Sequence, residues 1–444
     1  MLSPESHWRL QKWLLQKDLR ELFASRPFWL LLLLIGPLIG QAFLTSVESY
    51  ADASGVTPGG PAALPQDLSP LDGILVPSLG AYDLAVTLLF PFVAIRAVAS
   101  ERESGAWKLL LQSPASMFTL LSIKALVLLS GWILAWLPGF AVLIFWKLYG
   151  GTLYMPEVLN LLLGHLLRVI LSTGVAVAAA AIAGGAASAA IVTLAFTVGT
   201  WVVEFVATGR GGFAEKLAGY TPTAMLRLFE QGQLQLSAVI VCLLFGTFGF
   251  VLAGIWLSPS AKRLTHSMLA TVGFAVLLFA GSMLRPTWDL SENRRNSFPA
   301  EDEATLRQIP FPLHVTAYLA PEDPRLTDLS RNILSKFTRI LPKVVVEYKA
   351  HSRAGLFEPT GEHYGEVWYE MNQRKVMTRS TTEAIVLAAI YEIAQVAAPA
   401  QRAENAYSGH PLAARPTGSA AAFYYGFWPC FVGMAYWLNF KNRT

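Results

Sequence analysis

Charged residues are scarce in this sequence. Asp, Glu, Lys and Arg make up 14% of the 444 residues and hydrophobic residues 54%, whereas soluble domains carry roughly 25% charge. This deficit indicates that lipid is the main solvent of the chain. The formal net charge of +4 is small, so no nucleic-acid partner is expected.

Cysteine is nearly absent as well. The 2 cysteines, Cys242 and Cys430, both lie in apolar runs, and no CxxC or Cys/His cluster occurs. A disulfide scaffold, structural zinc and thiol redox chemistry therefore have no support. The chain also lacks GxxxxGK[ST], the nucleotide phosphate loop. The nearest glycine-rich run starts at Gly209, lacks the spacing, and is more simply a flexible loop. No ATP, Mg²⁺ or metal cofactor is expected on this chain.

Long apolar runs dominate what is present. A helix that crosses a ~30 Å hydrocarbon core needs about 20 apolar residues. We predict 8 spans: Phe28–Ser46, Gly80–Val98, Phe118–Phe145, Val158–Ala181, Ala187–Val206, Leu236–Leu257, His266–Leu284 and Ala420–Phe440. The first follows a basic lead without a small-residue cleavage site, so it is predicted to stay as an anchor. Gly184-Gly185 predicts a turn between the fourth and fifth spans, which otherwise read as one long span.

Basic residues predict the orientation, because cytoplasmic loops are enriched in Lys and Arg. They cluster in the N-terminal lead, after the second span, after the sixth and in the tail, whereas the loop Val47–Leu79 has none. Eight alternating spans place all four clusters on one side. We therefore expect a membrane protein with both termini in the cytoplasm.

Residues 286–419 break the apolar pattern and predict a small extracytoplasmic α/β domain. The expected order is strand, helix, strand, hairpin and helix, which suggests a thioredoxin-like unit. The predicted elements are His314–Leu319, Asp323–Leu341, Val344–Tyr348, Glu366–Thr378 around Asn372-Gln373, and Thr381–Val396. Ala397–Gly418 is predicted to be a linker. The histidines of this segment are scattered, which argues against catalysis: His314, His351, His363 and His410.

The lead His7–Arg26 predicts an amphipathic helix. Trp8, Leu15, Leu19 and Leu22 form one stripe, which suits a helix lying among lipid headgroups. A plain basic anchor that only sets the topology fits the pattern equally well.

The segment Ser100–Ser116 predicts a docking element in a cytoplasmic loop. It presents charged Glu101, Arg102 and Glu103, then Gly105, Trp107 and Lys108 at the start of a short apolar helix. The charges suit pairing across an interface and the apolar residues suit a groove. A solvated loop with self-paired charges is the alternative.

His165 and Arg168 lie within the fourth span. An arginine at a helix centre costs about 2.5–3.5 kcal/mol on insertion scales. Arg168 is therefore expected to face protein or water, with Asp83 or Glu204 as its partner. A shifted span that leaves both residues near an interface is the other possibility.

Three stretches carry a family resemblance: KDLRELFASRPFW, ERESGAWKLLLQSPAS and YTPTAMLRLFEQGQLQLS. In this order they resemble the permeases of type-2 ABC exporters over Trp13–Ser258. The resemblance implies an elbow helix at His7–Arg26 and a coupling helix near Glu101–Leu111 that contacts an ATPase. It also implies a bacterial inner membrane, two ATPase subunits carrying ATP and Mg²⁺, and a second copy of this chain or a related permease.

A second resemblance covers Trp288–Gln395, on WDLSENRRNSFPAEDEATLRQI, LHVTAYLAPEDPRLTDLSRNILSKF and VVVEYKA. These are similar to the extracytoplasmic component of gliding-motility-type ABC systems, although the larger second part common in relatives is missing. The implied organisation is an elbow helix at 1–27, a six-span permease core at 28–258, a seventh span at 259–285, the outer domain at 286–419, and an eighth span with the tail at 420–444.

The leading hypothesis is thus a polytopic α-helical permease subunit, not itself an enzyme, that couples a separate ATPase to export or to movement of the outer domain. The alternative is a subunit of an envelope machine, of the gliding or pilus-assembly kind, that moves no solute. An extracytoplasmic partner protein is possible in either case. A membrane enzyme or redox protein is the least supported reading.

Overall fold

A computed structural model of the chain describes residues 4–56, 68–207, 212–320, 323–349, 363–399, 407–413 and 418–441. Several predicted features lie outside them: the middle of the 47–79 loop, Gly209, His351 and much of the 397–418 linker. The chain forms two compact units. The helical unit contains Met1–Val198, Ser237–Leu284 and Tyr407–Thr444, and the sheet unit contains Gly199–Leu236 and Arg285–Ala406.

Long helices form at the positions of the predicted spans. Up to the seventh predicted span, the described α-helices are, in chain order, α1 (Pro4–Ala24), α2 (Arg26–Ala53), α3 (Val76–Glu103), α4 (Ala106–Leu110), α5 (Met117–Ala135), α6 (Leu137–Leu148), α7 (Met155–Ile182), α8 (Ala186–Ala207), α9 (Gly212–Ala218), α10 (Pro222–Glu230), α11 (Leu236–Leu257) and α12 (Arg263–Ser282). A π-helical turn, Leu71–Leu75, leads into α3.

Seven helices in the described part of the chain are long and apolar enough to cross a membrane. They are Arg26–Ala53, Leu71–Glu103, Met117–Leu148, Met155–Ile182, Ala186–Ala207, Leu236–Leu257 and Arg263–Ser282. The predicted turn at Gly184-Gly185 is confirmed, since α7 ends at Ile182 and α8 begins at Ala186. The third span bends between α5 and α6, where Pro138 lies at the start of α6 and lacks the N–H that would continue the helix.

The predicted eighth span forms as a helix over Ser419–Lys441, but it is not one of these seven. Tyr, Trp, Pro and Asn interrupt its apolar run. Aromatic side chains of this helix pack against glycines of α2. A Cβ added at Gly36 would lie 2.1 Å from the Trp428 ring, and one at Gly40 would lie 2.4 Å from Tyr424. The Trp428 indole N–H donates to the carbonyl of Leu32 at 2.7 Å. Its place as an eighth span stays a prediction.

Three glycines bring α7 and α11 into backbone contact. A Cβ at Gly174 would lie 2.4 Å from the carbonyl oxygen of Gly246, and one at Gly249 would lie 2.2 Å from that of Gly174. Small residues allow such an approach between helices in lipid, where packing replaces the hydrophobic effect as the driving force.

The sheet unit contains four further helical segments, α13 (Ala300–Leu306), α14 (Pro324–Asp328), α15 (Ser335–Ile340) and α16 (Glu383–Ala394), and the strands β1 (Gln233–Gln235), β2 (Thr287–Asp289), β3 (Leu313–Ala317), β4 (Val344–Tyr348), β5 (Val367–Met371) and β6 (Arg374–Thr378). The larger sheet has the order β4-β3-β5-β6. β3 is parallel to β4 and antiparallel to β5, which pairs antiparallel with β6.

The predicted hairpin is present in this sheet. Asn372 and Gln373 connect β5 and β6 with φ values of 48° and 65°, and positive φ at both loop residues matches the twist of a two-residue hairpin. Phe337, Tyr369 and Ile390 are fully buried in the core between the sheet and the helices. The four strands of the larger sheet, the helix before β4 and α16 therefore lie where the sequence predicted them, whereas β1, β2 and α13 were not predicted.

The two units divide the chain differently from the predicted domains. Gly199–Leu236, predicted as part of the permease core, belongs to the sheet unit. The reason is a two-stranded antiparallel ladder in which Leu234 of β1 faces Trp288 of β2. Residues from Tyr407 onward, predicted to be linker, belong to the helical unit, where the Tyr50 hydroxyl donates to the carbonyl of His410 at 2.8 Å.

Candidate functional site

The segment from Glu101 to Trp107, which we call the junction loop, connects α3 to α4. α3 ends at Glu103, and Gly105 then adopts φ 77°. That left-handed conformation is strained for residues with a Cβ, so glycine is suited to the sharp turn. The turn places the last residues of α3 and the first residues of α4 beside each other.

Glu101 lies in a buried ion cluster. Its side chain is 2% exposed and its Oε2 lies 2.8 Å from Lys124 Nζ on α5, while Lys17 on α1 pairs with its other oxygen. Lys124 is 3% exposed and also contacts Asp18 at 3.4 Å. Glu101 thus joins three helices of its own chain and is not placed for direct contact with a partner.

The cluster stabilises the charged form of Lys17 on α1. Burial alone lowers the pKa of Lys17, but the hydrogen bond and the negative charge of Glu101 outweigh it and hold the pKa above its usual value. Lys17 also pairs with Asp18 and Glu21, each at 3.1 Å. The ammonium group therefore stays charged at neutral pH and links α1 to the end of α3.

A cavity of about 310 Å³ borders this cluster, lined by Asp18, Glu21, Arg96, Glu101 and Lys124 among others. One carboxylate oxygen each from Asp18, Glu21 and Glu101 lies within 4.8 Å of the others, a spacing that suits a cation. Lys17 and Lys124 are bound to the same carboxylates. Ion pairing therefore explains the grouping without a metal.

α1 packs on protein through a different stripe from the one predicted. Leu14, Asp18 and Leu22 are buried and recur every four residues, so they share one face of α1. Leu22 lies against Gly131 of α5. Leu15 and Leu19 are half-buried against the core, and Trp8 is 68% exposed. The predicted stripe therefore does not form one lipid-facing surface, because Leu22 points inward.

Arg102 and Glu103 hold the turn between α7 and α8. Nη1 of Arg102 lies 2.7–2.8 Å from the carbonyl oxygens of Ala180, Ala181 and Ala183, which share its two N–H groups. Oε1 of Glu103 accepts from the Ala186 N–H at 2.9 Å. A cation thus caps the carbonyl end of α7 and an anion the amide end of α8, in the sense that helix dipoles favour.

Trp107 and Lys108 on α4 differ in exposure. The Trp107 indole is buried and its N–H donates to the carbonyl of Leu257, the last residue of α11, at 3.1 Å. Lys108 is exposed, and Leu109 is 69% exposed. On the following segment, Phe118 is 81% exposed. We call these three exposed side chains, which follow the junction loop in the chain, the α4 face.

Arg168 of α7 and Asp83 of α3 form an ion pair within the helical unit. Nε of Arg168 lies 3.4 Å from Oδ1 of Asp83 on α3, and Asp83 is one of the two partners the sequence suggested. The other, Glu204, pairs with Arg227 at 3.0 Å within the sheet unit. His165 is buried between the rings of Tyr82 and Trp136, at centroid distances of 5.6 and 5.5 Å.

Sequence reasoning missed Lys17 and Lys124 as partners of Glu101, and Asp18 as a second acid that pairs with both lysines. The helical spacing of Leu14, Asp18 and Leu22 was a usable signal for Asp18, because an acid in an apolar stripe needs a buried cation. No protein-family model matches this chain, and no curated protein and no solved structure matches it either.

Proposed function

We propose that this chain is the membrane-spanning permease subunit of an ATP-driven ABC type-2 system, in which a separate ATPase binds ATP and Mg²⁺. The observation that carries the proposal is the junction loop. Its side chains bond to the ends of α7, α8 and α11 and to charged groups on α1 and α5. A displacement of α4 is thereby transmitted to several membrane helices at once.

The α4 face and the junction loop differ in exposure. Lys108, Leu109 and Phe118 are exposed and supply apolar area with a charged rim, the composition of a protein-binding surface. Glu101, Arg102 and Trp107 are engaged within the chain. We assign ATPase binding to the α4 face and transmission of the motion to the inner residues.

The proposed cycle needs two ATPases and two membrane subunits. ATP binding between the ATPases moves each α4 face, and the junction loop passes the movement to the helix ends it caps. The result is export of a substrate or a rearrangement of the sheet unit.

The test separates binding from transmission. The chain is co-purified with its candidate ATPase, carrying L109D and F118D together in one variant and R102A in another. We expect the first variant to lose the complex, and the second to keep it while losing stimulation of ATP hydrolysis. L148D is the matched control, since Leu148 is 70% exposed at the end of α6 and its change should alter neither property. Normal binding and stimulation in the L109D/F118D variant would refute the assignment.

A mechanical role is the second candidate, favoured by the ladder between β1 and β2. β1 directly precedes α11 in the chain, and β2 follows α12. Gln231, just before β1, accepts hydrogen bonds from Arg295 and Asn296 at 3.2 and 2.8 Å. A movement of α11 would therefore be passed along the chain to β1 and, through the ladder, to β2. A continuous cavity between two copies in an experimental map would favour export, and a closed, packed interface would favour force transmission.

A further inference from the structure

Strand β4 forms one edge of the four-stranded sheet. Its ladder partner is β3, and within the described residues no strand pairs with its other side. The Leu313 N–H donates to the carbonyl of Lys343, and the Lys349 N–H donates to the carbonyl of Ala317. Odd-numbered residues of β4 therefore bond β3, and Val344 and Val346 direct their N–H and C=O groups away from β3. Such an edge is a template for another strand.

The two edges of the sheet differ in their protection. β6, the other edge, begins with Arg374 and Lys375, and charged side chains discourage edge-to-edge pairing. β4 begins with Val344, Val345 and Val346, which favour a strand and carry no charge. Of the two edges, β4 is the one suited to accept a partner.

The charges that flank the valines identify the partner as a second copy. Lys343, Val345 and Glu347 are exposed on one face of β4. An antiparallel pair of β4 strands centred on Val345 sets Lys343 opposite Glu347 of the other copy, twice by symmetry. Centring on Val346 instead sets Lys343 opposite Lys349, and directly opposed like charges are destabilising. A register centred midway between Val345 and Val346 is excluded. It would place residues whose N–H and C=O groups point toward the second copy opposite residues whose groups are bonded to β3.

We propose that two copies of this chain pair through β4, antiparallel and centred on Val345, to join their four-stranded sheets into one. Such a contact is isologous, as two-fold symmetry requires. Glu347 lies 3.6 Å from Lys349 in the single chain, with both side chains well exposed, and surface pairs of this kind are weak. It therefore does not prevent pairing with Lys343. Confinement of both copies to one membrane raises their effective concentration.

Disulfide trapping tests the register in the full-length chain. V345C is introduced together with C430S, which removes the exposed cysteine. The two Val345 residues would form a non-hydrogen-bonded pair with Cα atoms about 4.5 Å apart, within disulfide reach. We expect a disulfide dimer in native membranes under mild oxidation. V344C is the matched control. In this register the residues at position 344 of the two chains are offset along the strands beyond disulfide reach, so the V344C variant should stay monomeric.

Charge reversal tests the reason for the register. In the V345C background, K343E and E347K should each lower the dimer yield at least about threefold, by analogy with measured cross-strand charge effects. The combined K343E/E347K variant should restore it. The proposal is overturned if V345C gives no dimer in protein that still assembles with its ATPase, if V346C traps more dimer than V345C, if the double reversal fails to restore the yield, or if V345C traps a different polypeptide.

This inference rests on a two-copy assembly but not on ATPase coupling. A V345C dimer in a chain that binds no ATPase would refute the proposed function and leave the β4 contact standing. Normal ATPase stimulation without a V345C dimer would refute the β4 contact and leave the proposed function standing.

Discussion

Glu101 and Lys124 form an ion pair that is almost completely withdrawn from solvent. Their Oε2 and Nζ atoms are 2.8 Å apart, and the side chains are 2% and 3% exposed. Removing charges from water is costly, so such a pair is stable only while both partners are present. Around it, Lys17 and Asp18 supply one further charge of each sign.

Loss of one partner of this pair should destabilise the helical unit. E101A leaves Lys124 buried with the 3.4 Å ion pair to Asp18 and a hydrogen bond to the Ala97 carbonyl, and we expect a loss of about 3–5 kcal/mol in the free energy of unfolding. The double variant E101L/K124L should lose much less than the sum of its single changes. Thermal unfolding of the purified chain in detergent measures both effects. E21Q is the control: Glu21 is 44% exposed, so its change should stay within about 1 kcal/mol. Equal losses for E21Q and E101A would contradict the buried pair.

A side chain at Gly174 should separate α7 from α11. In G174V the new Cβ would meet the backbone of Gly246 at 2.4 Å, and backbone cannot move aside as a flexible side chain can. Overpacking of this kind costs about 1–3 kcal/mol or more. G273A, where a Cβ meets nothing within 4 Å, should be neutral or slightly stabilising, because alanine favours helix over glycine. The yield of monodisperse protein on size-exclusion chromatography compares the two, and similar yields would disprove the contact.

Acid should weaken the sheet unit through Asp323. Its hydrogen bond with Arg325 is the main reason that its pKa falls from 3.8 to about 2, and the Tyr364 hydroxyl also donates to it, at 2.8 Å. A carboxylate with a lowered pKa stabilises the fold above its unfolded pKa, and the contribution is lost as the pH falls toward 2. The melting temperature of the wild type should therefore exceed that of D323N at pH 6, and the gap should close between about pH 4 and pH 2. A gap that does not change with pH would exclude this assignment.

Arg102 should control the end of α7. R102A removes three charge-assisted hydrogen bonds to carbonyls of the α7–α8 turn, and such bonds contribute about 1.5–3 kcal/mol each at most. Amide hydrogen exchange should accelerate in the last turn of α7 and at Ala186, which Glu103 binds. K108A serves as control, since Lys108 is exposed on the α4 face and its loss should leave exchange unchanged. Acceleration in both variants would argue for general loosening instead of a lost cap.

Local sequence patterns were enough for much of the fold. The apolar runs located the seven long helices, and Gly184-Gly185 located the break between α7 and α8. Asn372-Gln373 located the hairpin. Arg168 led to Asp83 because an arginine within a span must find an acid. Each of these rests on a signal contained in a short window or on a strong energetic demand.

The partners of the junction loop were beyond such reasoning. Glu101 and Lys17 are 84 positions apart, and nothing in the local pattern around Glu101 separates an exposed acid from a buried one. Trp107 was expected in a partner's groove, but its N–H bonds the end of α11. The ladder of β1 with β2 also joins distant segments, so the division into units could not follow from apolar runs alone.

The ladder between β1 and β2 sets a condition on any two-gene version of this protein. If the chain were divided after residue 258, Leu234 and Trp288 would lie on separate polypeptides. β1 would then expose an unpaired edge until the second polypeptide arrived, and the two products would have to be made together and in equal amounts. A single reading frame meets that condition automatically, because every β1 is synthesised with its own β2.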